Sequence, residues 1–518
     1  MRELLGALKR LADRVARDDP GRPGHWLTRL VLLRLLGLVY LMAFLTLVNQ
    51  GPALIGTRGL LPASDFLDDV ARQLGSRAAG FAEMPSLFWL SASDAMLRAA
   101  GWIGVAVSLA VLAGYANAIL LGVLCALQIS VINVGQTFYA FGWEIQLVET
   151  GFLCIFLCPL FDGRPFSRRP PPAIVIWLLR WLAARIMWGA GLIKLHGDSC
   201  WRDLTCLDFH FETQPVPSPL TRLFHALPPG AHEVGVVFNH LVELAAPFLI
   251  FGPRRLRNLA GALMVSLQVI LILSGNLSFL NWLTLVPILA CFDDGLWRRV
   301  LPAALVSRAD AARAVAAPSR AQGLSVAALA VAIVALSVSP VVNMLSGTQI
   351  MNTSFTRLPL VNTYGAFGSV GRERLQLVFE GTLDETVTAE TAWRPYQFKC
   401  QPGDPARRPC WMSPYHRRLD WLLWFAAMGS PRDYPWAVHL VDKLLEADPA
   451  TLALLAGDPF GGAPPRLVRV DLYRYRLTPP GAKFWWTRTR LGPWLPPLGR
   501  DNPELQDFLR AQGWPPMP

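Results

Sequence analysis

The chain has 518 residues, of which 53% are hydrophobic and only 16% charged, with a formal net charge of +11. An ordinary soluble protein carries about a quarter charged residues, so this composition excludes a simple soluble domain and points to lipid-facing surface. The basic residues stand in short clusters between apolar runs, which fits membrane topology and not a nucleic-acid surface.

In chain order, Met1–Gly24 is charged and lacks an apolar core, so no cleavable signal peptide is expected. Its Lys9, Arg10, Arg14, Arg17 and Arg22 place a segment over 1–26 in the cytoplasm. Crossing a bilayer as a helix takes about 20 mostly apolar residues, and about nine stretches approach that length. They are Leu27–Val48, Met96–Ala113, Asn117–Val134, Leu147–Phe161, Ala173–Lys194, Glu233–Phe251, Leu259–Leu273, Leu277–Phe292 and Leu324–Val342. The shorter ones read as tilted, broken or re-entrant. With that count the basic loops "DGRPFSRRPPP", "GPRRLRN" and the Arg-rich run over 293–322 all fall inside. The loop over 195–232 and everything after Val342 fall outside. Abundant Ala, Arg, Leu and Pro suggest a GC-rich bacterial genome, so outside means the periplasm, or the ER lumen in a eukaryote.

Beyond Asn343 the long apolar runs stop. "RERLQLVFEGTL", "WRPYQFKC" and "RLVRVDLYRYRL" alternate with period two, whereas Tyr434–Gly457 has helical periodicity. The expected fold is a polytopic α-helical membrane domain over 27–342, followed by a mostly β soluble domain over 343–518 with a helical insertion.

The cysteines fit this layout. Cys200, Cys206, Cys400 and Cys410 fall on the outer side, where oxidation is permitted, and neither pair has CxxC spacing. Both pairs read as structural disulfides. Cys125, Cys154, Cys158 and Cys291 lie in or beside spans and read as small buried hydrophobes.

Ionisable residues at membrane depth are costly and by default suggest function. Lys194 ends one span, while Glu149 and Glu243 fall within others; these are the candidate catalytic residues. A desolvated Lys can act as a base. Without other information, however, Lys194 reads as a helix-end residue snorkelling to the headgroups. Glu149 and Glu243 read as structural, paired with Arg185 or a neighbouring amide. Glu144, Asn276 and Asn281 join them in the outer half of the membrane domain. The loop "CWRDLTCLDFHFETQPVPSPL" supplies Trp201, Arg202, Asp203, His210 and Glu212, with His196 just before it. His210 and Glu212 lack a third well-spaced ligand, so no metal is expected. This loop is expected to cap a polar cavity. Trp421 and Trp424, three residues apart, read as core, with an aromatic partner-binding surface as the functional alternative, and the chain has no GxSxG element of a lipase.

Several long stretches resemble the lipase maturation factor family. They include "WLTRLVLLRLLGLVYLMAFLTLVNQGPALIGTRGLLPA", "WRDLTCLDFHFETQPVPSPL", "LILSGNLSFLNWLTL", "VNTYGAFGSVGRERLQLVFEGT", "WRPYQFKCQPGDPARRPCW" and "HRRLDWLLWFAAM". The likeness runs nearly end to end, with Glu144 standing where the family has Asp. It implies a membrane-anchored factor that helps exported, lipase-like client proteins assemble, without a cofactor and without covalent chemistry. A shorter stretch, "AGLIKLHGDSCW", is similar to one in vitamin K-dependent carboxylases. That second resemblance implies a membrane enzyme modifying a client or lipid, with Lys194 as its base.

Overall fold

In lipid every backbone N–H and C=O must bond within its own segment, so apolar runs of this kind fold as helices. The structure is a computed structural model that describes residues 24–514. Lys9, Arg10, Arg14, Arg17 and Arg22, expected in the cytoplasm, lie outside the described residues. Among the described residues, five helices are long and apolar enough to cross a membrane: α1 (Trp26–Ile55), α2 (Asp94–Ala113), α5 (Ala173–His196), α8 (Arg254–Ser274) and α10 (Arg320–Leu345). Between them lie shorter helices α3 (Ala118–Val134), α4 (Gly142–Leu157), α6 (Cys206–Thr213), α7 (Pro229–His240) and α9 (Leu280–Ile288).

The nine expected stretches thus include shorter helices, and five reach spanning length among the described residues. Hydropathy reports residue type but not where a helix breaks. A π-helical turn at Leu241–Ala245 and Pro247 interrupt the segment after α7, and α9 passes into a 3₁₀ turn just after Pro287. The α3 and α4 helices have the right composition but only 17 and 16 residues.

Local sequence sets the helix ends. The Ser93 side chain accepts from the Met96 N–H at the start of α2, and Gly114, at φ 105°, ends it in the left-handed region that glycine tolerates. Where α1 and α2 cross, Gly104 lies so close to Phe44 that a Cβ there would stand 2.3 Å from the ring. Small residues of this kind let membrane helices approach. At the opposite end of α1, Asp294 accepts from the Trp26 and Leu27 N–H groups at 3.0 and 2.8 Å, closing the bundle across most of its sequence.

The C-terminal region carries a four-stranded antiparallel sheet in the order β2-β1-β5-β6. Its strands are β1 (Arg374–Thr382), β2 (Arg394–Pro395), β5 (Leu467–Leu477) and β6 (Trp486–Gly499). A small pair, β3 (Gln397–Phe398) with β4 (Leu455–Gly457), lies beside it. The helices α11 (Arg418–Ala426) and α12 (Pro435–Leu445) are inserted between β3 and β4. Both long period-two runs are strands, whereas β6 holds three prolines and an irregular register. That composition is tolerable because β6 is an edge strand.

Two fully buried arginines fasten this region to the helices. Arg418 of α11 reaches the Glu144 carboxylate at 2.8 Å and the Phe138 carbonyl at 2.7 Å, with its guanidinium 3.4 Å from the Tyr139 ring centroid. Arg374, at the start of β1, donates to the carbonyls of Gln214 and Pro215 at 2.6 and 3.1 Å. Removing one member of a buried ion pair strands the other charge and typically costs about 3–5 kcal/mol, whereas replacing both is often near neutral. Arg418→Met should therefore lower stability by roughly that amount, and Glu144→Gln with Arg418→Met should recover at least half of it. Thermal unfolding in detergent checks this; equal losses in the single and double variants would contradict the assignment.

Candidate functional site

The segment after α5 folds back over the helices because its own chemistry forbids a continuation. A disulfide joins Cys200 to Cys206, and Pro215 and Pro217 follow α6 directly. The resulting cap is fastened on both sides. Trp201 donates from Nε1 to the Phe367 carbonyl at 2.8 Å, and His240 donates to the Trp201 carbonyl at 3.0 Å. Asp198 accepts from Arg372 at 2.9 Å.

Beneath the cap lies a cavity of about 660 Å³, bounded by the membrane helices on one side and α11 on the other. Its walls are largely apolar, with Phe141, Trp143, Ile186, Leu267, Trp421 and Phe425 among them. Its polar groups fall in two sets. Gln146, Gln268, Asn281 and Thr284 form one, with Gln146 donating to Thr284 at 3.1 Å and Asn281 to Gln268 at 2.8 Å.

Lys194 anchors the other. Its Nζ lies 2.6 and 2.7 Å from the two Glu243 oxygens and 3.2 Å from Asn239 Oδ1. The Asn239 amide donates to Glu243 at 2.9 Å, and the Trp201 ring stands 5.0 Å from Nζ. Glu243 sits on the π-helical turn that follows α7, a distortion frequent at functional sites. The snorkelling position expected of Lys194 is corrected: only 4% of the residue is exposed, and it points into the protein. A buried ammonium is tolerable here because the carboxylate and amide offer three acceptors for its three N–H bonds. The same arrangement leaves Nζ no lone pair, so acting as a base would require Glu243 to take its proton first.

His210 enters from the cap, edge-on to Phe367 with ring centroids 4.8 Å apart. Burial, aided by the Lys194 charge, pulls its pKa down to about 4. The imidazole is therefore neutral at physiological pH. Phe367 and Asn352, which also line the cavity, hold left-handed backbone at φ 54° and 53°. Such conformations cost about 1–3 kcal/mol in non-glycine residues and gather at ligand clamps.

Of the residues singled out in the sequence, Lys194, Glu243, Trp201, His210, Asn281, Trp421 and Trp424 line this cavity. Others do not. Glu149 is fully buried behind the wall, bonded to Arg185, to Tyr364 Oη at 2.6 Å and to the Asn362 N–H at 3.0 Å. Glu144 is held by Arg418. Asn276 joins the two halves, donating to the carbonyls of Pro217 and Cys410 at 3.0 and 2.9 Å. Glu212 accepts from the Leu477 N–H at 2.7 Å, which ties the cap to β5. His196, Arg202 and Asp203 are exposed. The aromatic partner surface read as the alternative at Trp421 and Trp424 does not face outward. Trp421 is buried edge-on against Trp143, and Trp424 donates to the Thr213 carbonyl at 2.8 Å. A second disulfide joins Cys400 to Cys410. Among the described residues, no group of three or more His, Cys, Asp or Glu could hold a metal ion.

Sequence reasoning missed Asn239, Gln268 and Arg418. Asn239 lies four residues before Glu243, a spacing that places both on one helix face, and Arg418 is a basic residue within an aromatic run.

The family profile described as "Lipase maturation factor transmembrane domain" matches residues 27–299, and "Lipase maturation factor C-terminal domain" matches 360–496. The chain is 47% identical to Lipase maturation factor 1 of Bos taurus, over 96% of this chain and 94% of that protein. It is also 47% identical to Lipase maturation factor 1 of Mus musculus, over 97% and 93%. Identity to Lipase maturation factor 2 of Gallus gallus is 28%, over 96% and 84%. The chain belongs to the lipase maturation factor family. No solved structure matches it. In this member of the family the transmembrane match contributes Lys194, His210 and Glu243 to the cavity, and the C-terminal match contributes Phe367, Trp421 and Phe425. The site needs both.

His210 gives the cap a pH signature. Its folded pKa of about 4 lies below its ordinary 6.5, so the unfolded chain takes up a proton first as pH falls. Stability is intact above pH 6.5 and should decline by about 2–3 kcal/mol by pH 4.5. His210→Phe should remove that part of the decline when unfolding is followed at pH 7.5 and 4.5. An unchanged pH dependence would contradict the buried neutral imidazole.

Proposed function

We propose that this chain is a membrane-anchored maturation factor that assists the assembly of exported lipase-like proteins. Family membership over nearly the whole length supports the reading, since the relatives are named lipase maturation factors. The observation that carries it furthest is architectural. The C-terminal domain is clasped to the bundle by buried Arg418 and Arg374, so anchor and client-handling domain act as one body. The shorter helices α3, α4, α7 and α9 complete a path of about nine passes as partial or tilted crossings. Cap, cavity and C-terminal domain face the exterior, away from the basic end where Arg254 and Arg257 meet Asp293. The exterior is the lumen of the ER in a eukaryote and the periplasm in a bacterium.

A second reading, a membrane enzyme with Lys194 as base, is favoured by one observation: Lys194 lies inside the cavity beside a carboxylate. The two readings separate in cells that lack this protein and express a secreted lipase. The variant to use is Lys194→Met with Glu243→Gln, which removes both charges and leaves neither stranded. A maturation factor predicts lipase that is made but inactive in the deficient cells, unchanged in mass, and restored to at least half by this double variant. Loss of a defined mass increment from the lipase, with no restoration by a double variant that is made and inserted, would establish the enzyme instead.

A further inference from the structure

We infer that the cavity is a binding site for one uncharged membrane lipid whose head group carries both a hydroxyl and a carbonyl, of the monoacylglycerol type. The inference does not rest on the maturation reading; it follows from the chemistry of the lining.

The first observation is charge. Among the described residues, Lys194 and Glu243 are the only charged side chains on the lining, and they neutralise each other at 2.6 and 2.7 Å. His210 is neutral because burial holds its pKa near 4. A phosphate or free carboxylate brought into this space would find no uncommitted cation, and an uncompensated buried charge is prohibitively costly. An uncharged head avoids that penalty.

The second observation is unmet hydrogen bonding. His210 is 5% exposed and Gln268 3%, and both line the cavity. Gln268 Oε1 accepts from Asn281, but among the described residues no group bonds its Nε2. Nor does any bond either ring nitrogen of His210, whose contacts are with Phe211, Phe367 and the Lys194 field. These nitrogens face the cavity's open space, where a bound molecule can pair with them, and Trp421 Nε1, on the same lining, is a fully buried donor without a partner among the described residues. Gln268 Nε2 needs an acceptor, which a carbonyl provides. A neutral imidazole has one donor and one acceptor, which a hydroxyl satisfies in either sense.

The third observation is the way in. Gly235 and Phe238 after the start of α7, and Ile270 and Leu271 near the end of α8, line the cavity while remaining partly exposed. Beside them Val234 and Val237 are exposed apolar residues. Since α8 is one of the five spanning helices, this gap opens towards acyl chains and admits a molecule from the bilayer. The volume of about 660 Å³ lies within the usual range of ligand pockets, about 300–1,000 Å³. The aromatic walls suit a single apolar chain.

The test is a titration of the purified full-length protein with monooleoylglycerol, read by native mass spectrometry, with oleate as the charged comparison of equal chain length. The expected result is saturable uptake of one equivalent, with oleate at least tenfold weaker. His210→Phe and Gln268→Leu should each weaken the glyceride by tenfold or more while thermal unfolding shows the variant folded. If a variant fails to fold, the wild-type preference for the uncharged head decides alone. No saturable uptake would overturn the proposal, as would oleate binding equally well, or several equivalents indifferent to both variants, which is the behaviour of annular lipid.

Discussion

A guanidinium taken out of water must find its acceptors within the protein, and Arg418 finds them across a domain boundary. Its partners, the Glu144 carboxylate and the Phe138 carbonyl, belong to the membrane half, while Arg418 itself begins a helix of the C-terminal half. Most other features follow from that constraint. With α11 held down, Trp421 and Phe425 become a cavity wall instead of an exposed surface. Arg374 repeats the arrangement at β1, where the carbonyls it serves belong to the residues just beyond α6. The cap is thus gripped from above by the sheet and from below by the helices.

This construction explains why polar residues can lie so deep. Glu149, Arg185 and Asn362 form a network behind the wall, reached from the cavity only through the lining residue Tyr364, and its role is to seat the connection between the two halves. Lys194, Glu243 and Asn239 form a second network, but one that borders open space. The two carboxylates have nearly the same burial and opposite prospects. One is enclosed by the chain, and the other, with neutral His210 opposite, gives a mostly greasy chamber a polar face without a net charge.

Much of this was legible in the sequence, and the failures have physical causes. Alternating apolar residues identified β1 and β5, and cysteines standing outside the apolar runs identified both disulfide pairs. Several of the nine apolar stretches are shorter as helices than as hydropathy runs, because composition does not reveal the π turn at Leu241–Ala245 or the short run of α9. Lys194 was misjudged as snorkelling because its position at a helix end is compatible with either direction, and the decision belongs to Glu243 on another helix. Trp421 and Trp424 left a similar choice open between core and partner surface: an i, i+3 aromatic pair states that a face is apolar, not what covers it. Only the long-range bonds of Arg418 supply that. The left-handed Phe367 left no signal, since nothing in "GAFGSVG" distinguishes the strained position from its glycine neighbours.

The central claim is that the membrane bundle, the cap and the C-terminal domain form one cooperative body around the cavity. Amide hydrogen exchange of the full-length protein in lipid nanodiscs tests it most directly, because exchange resolves which segments open together. The account predicts that Arg418–Ala426 and Cys206–Thr213 are protected to the same degree as the buried part of Ala173–His196 and lose protection together with it as denaturant is added. Rapid exchange in the cap, with the C-terminal sheet opening as a separate unit while the helices stay closed, would contradict it.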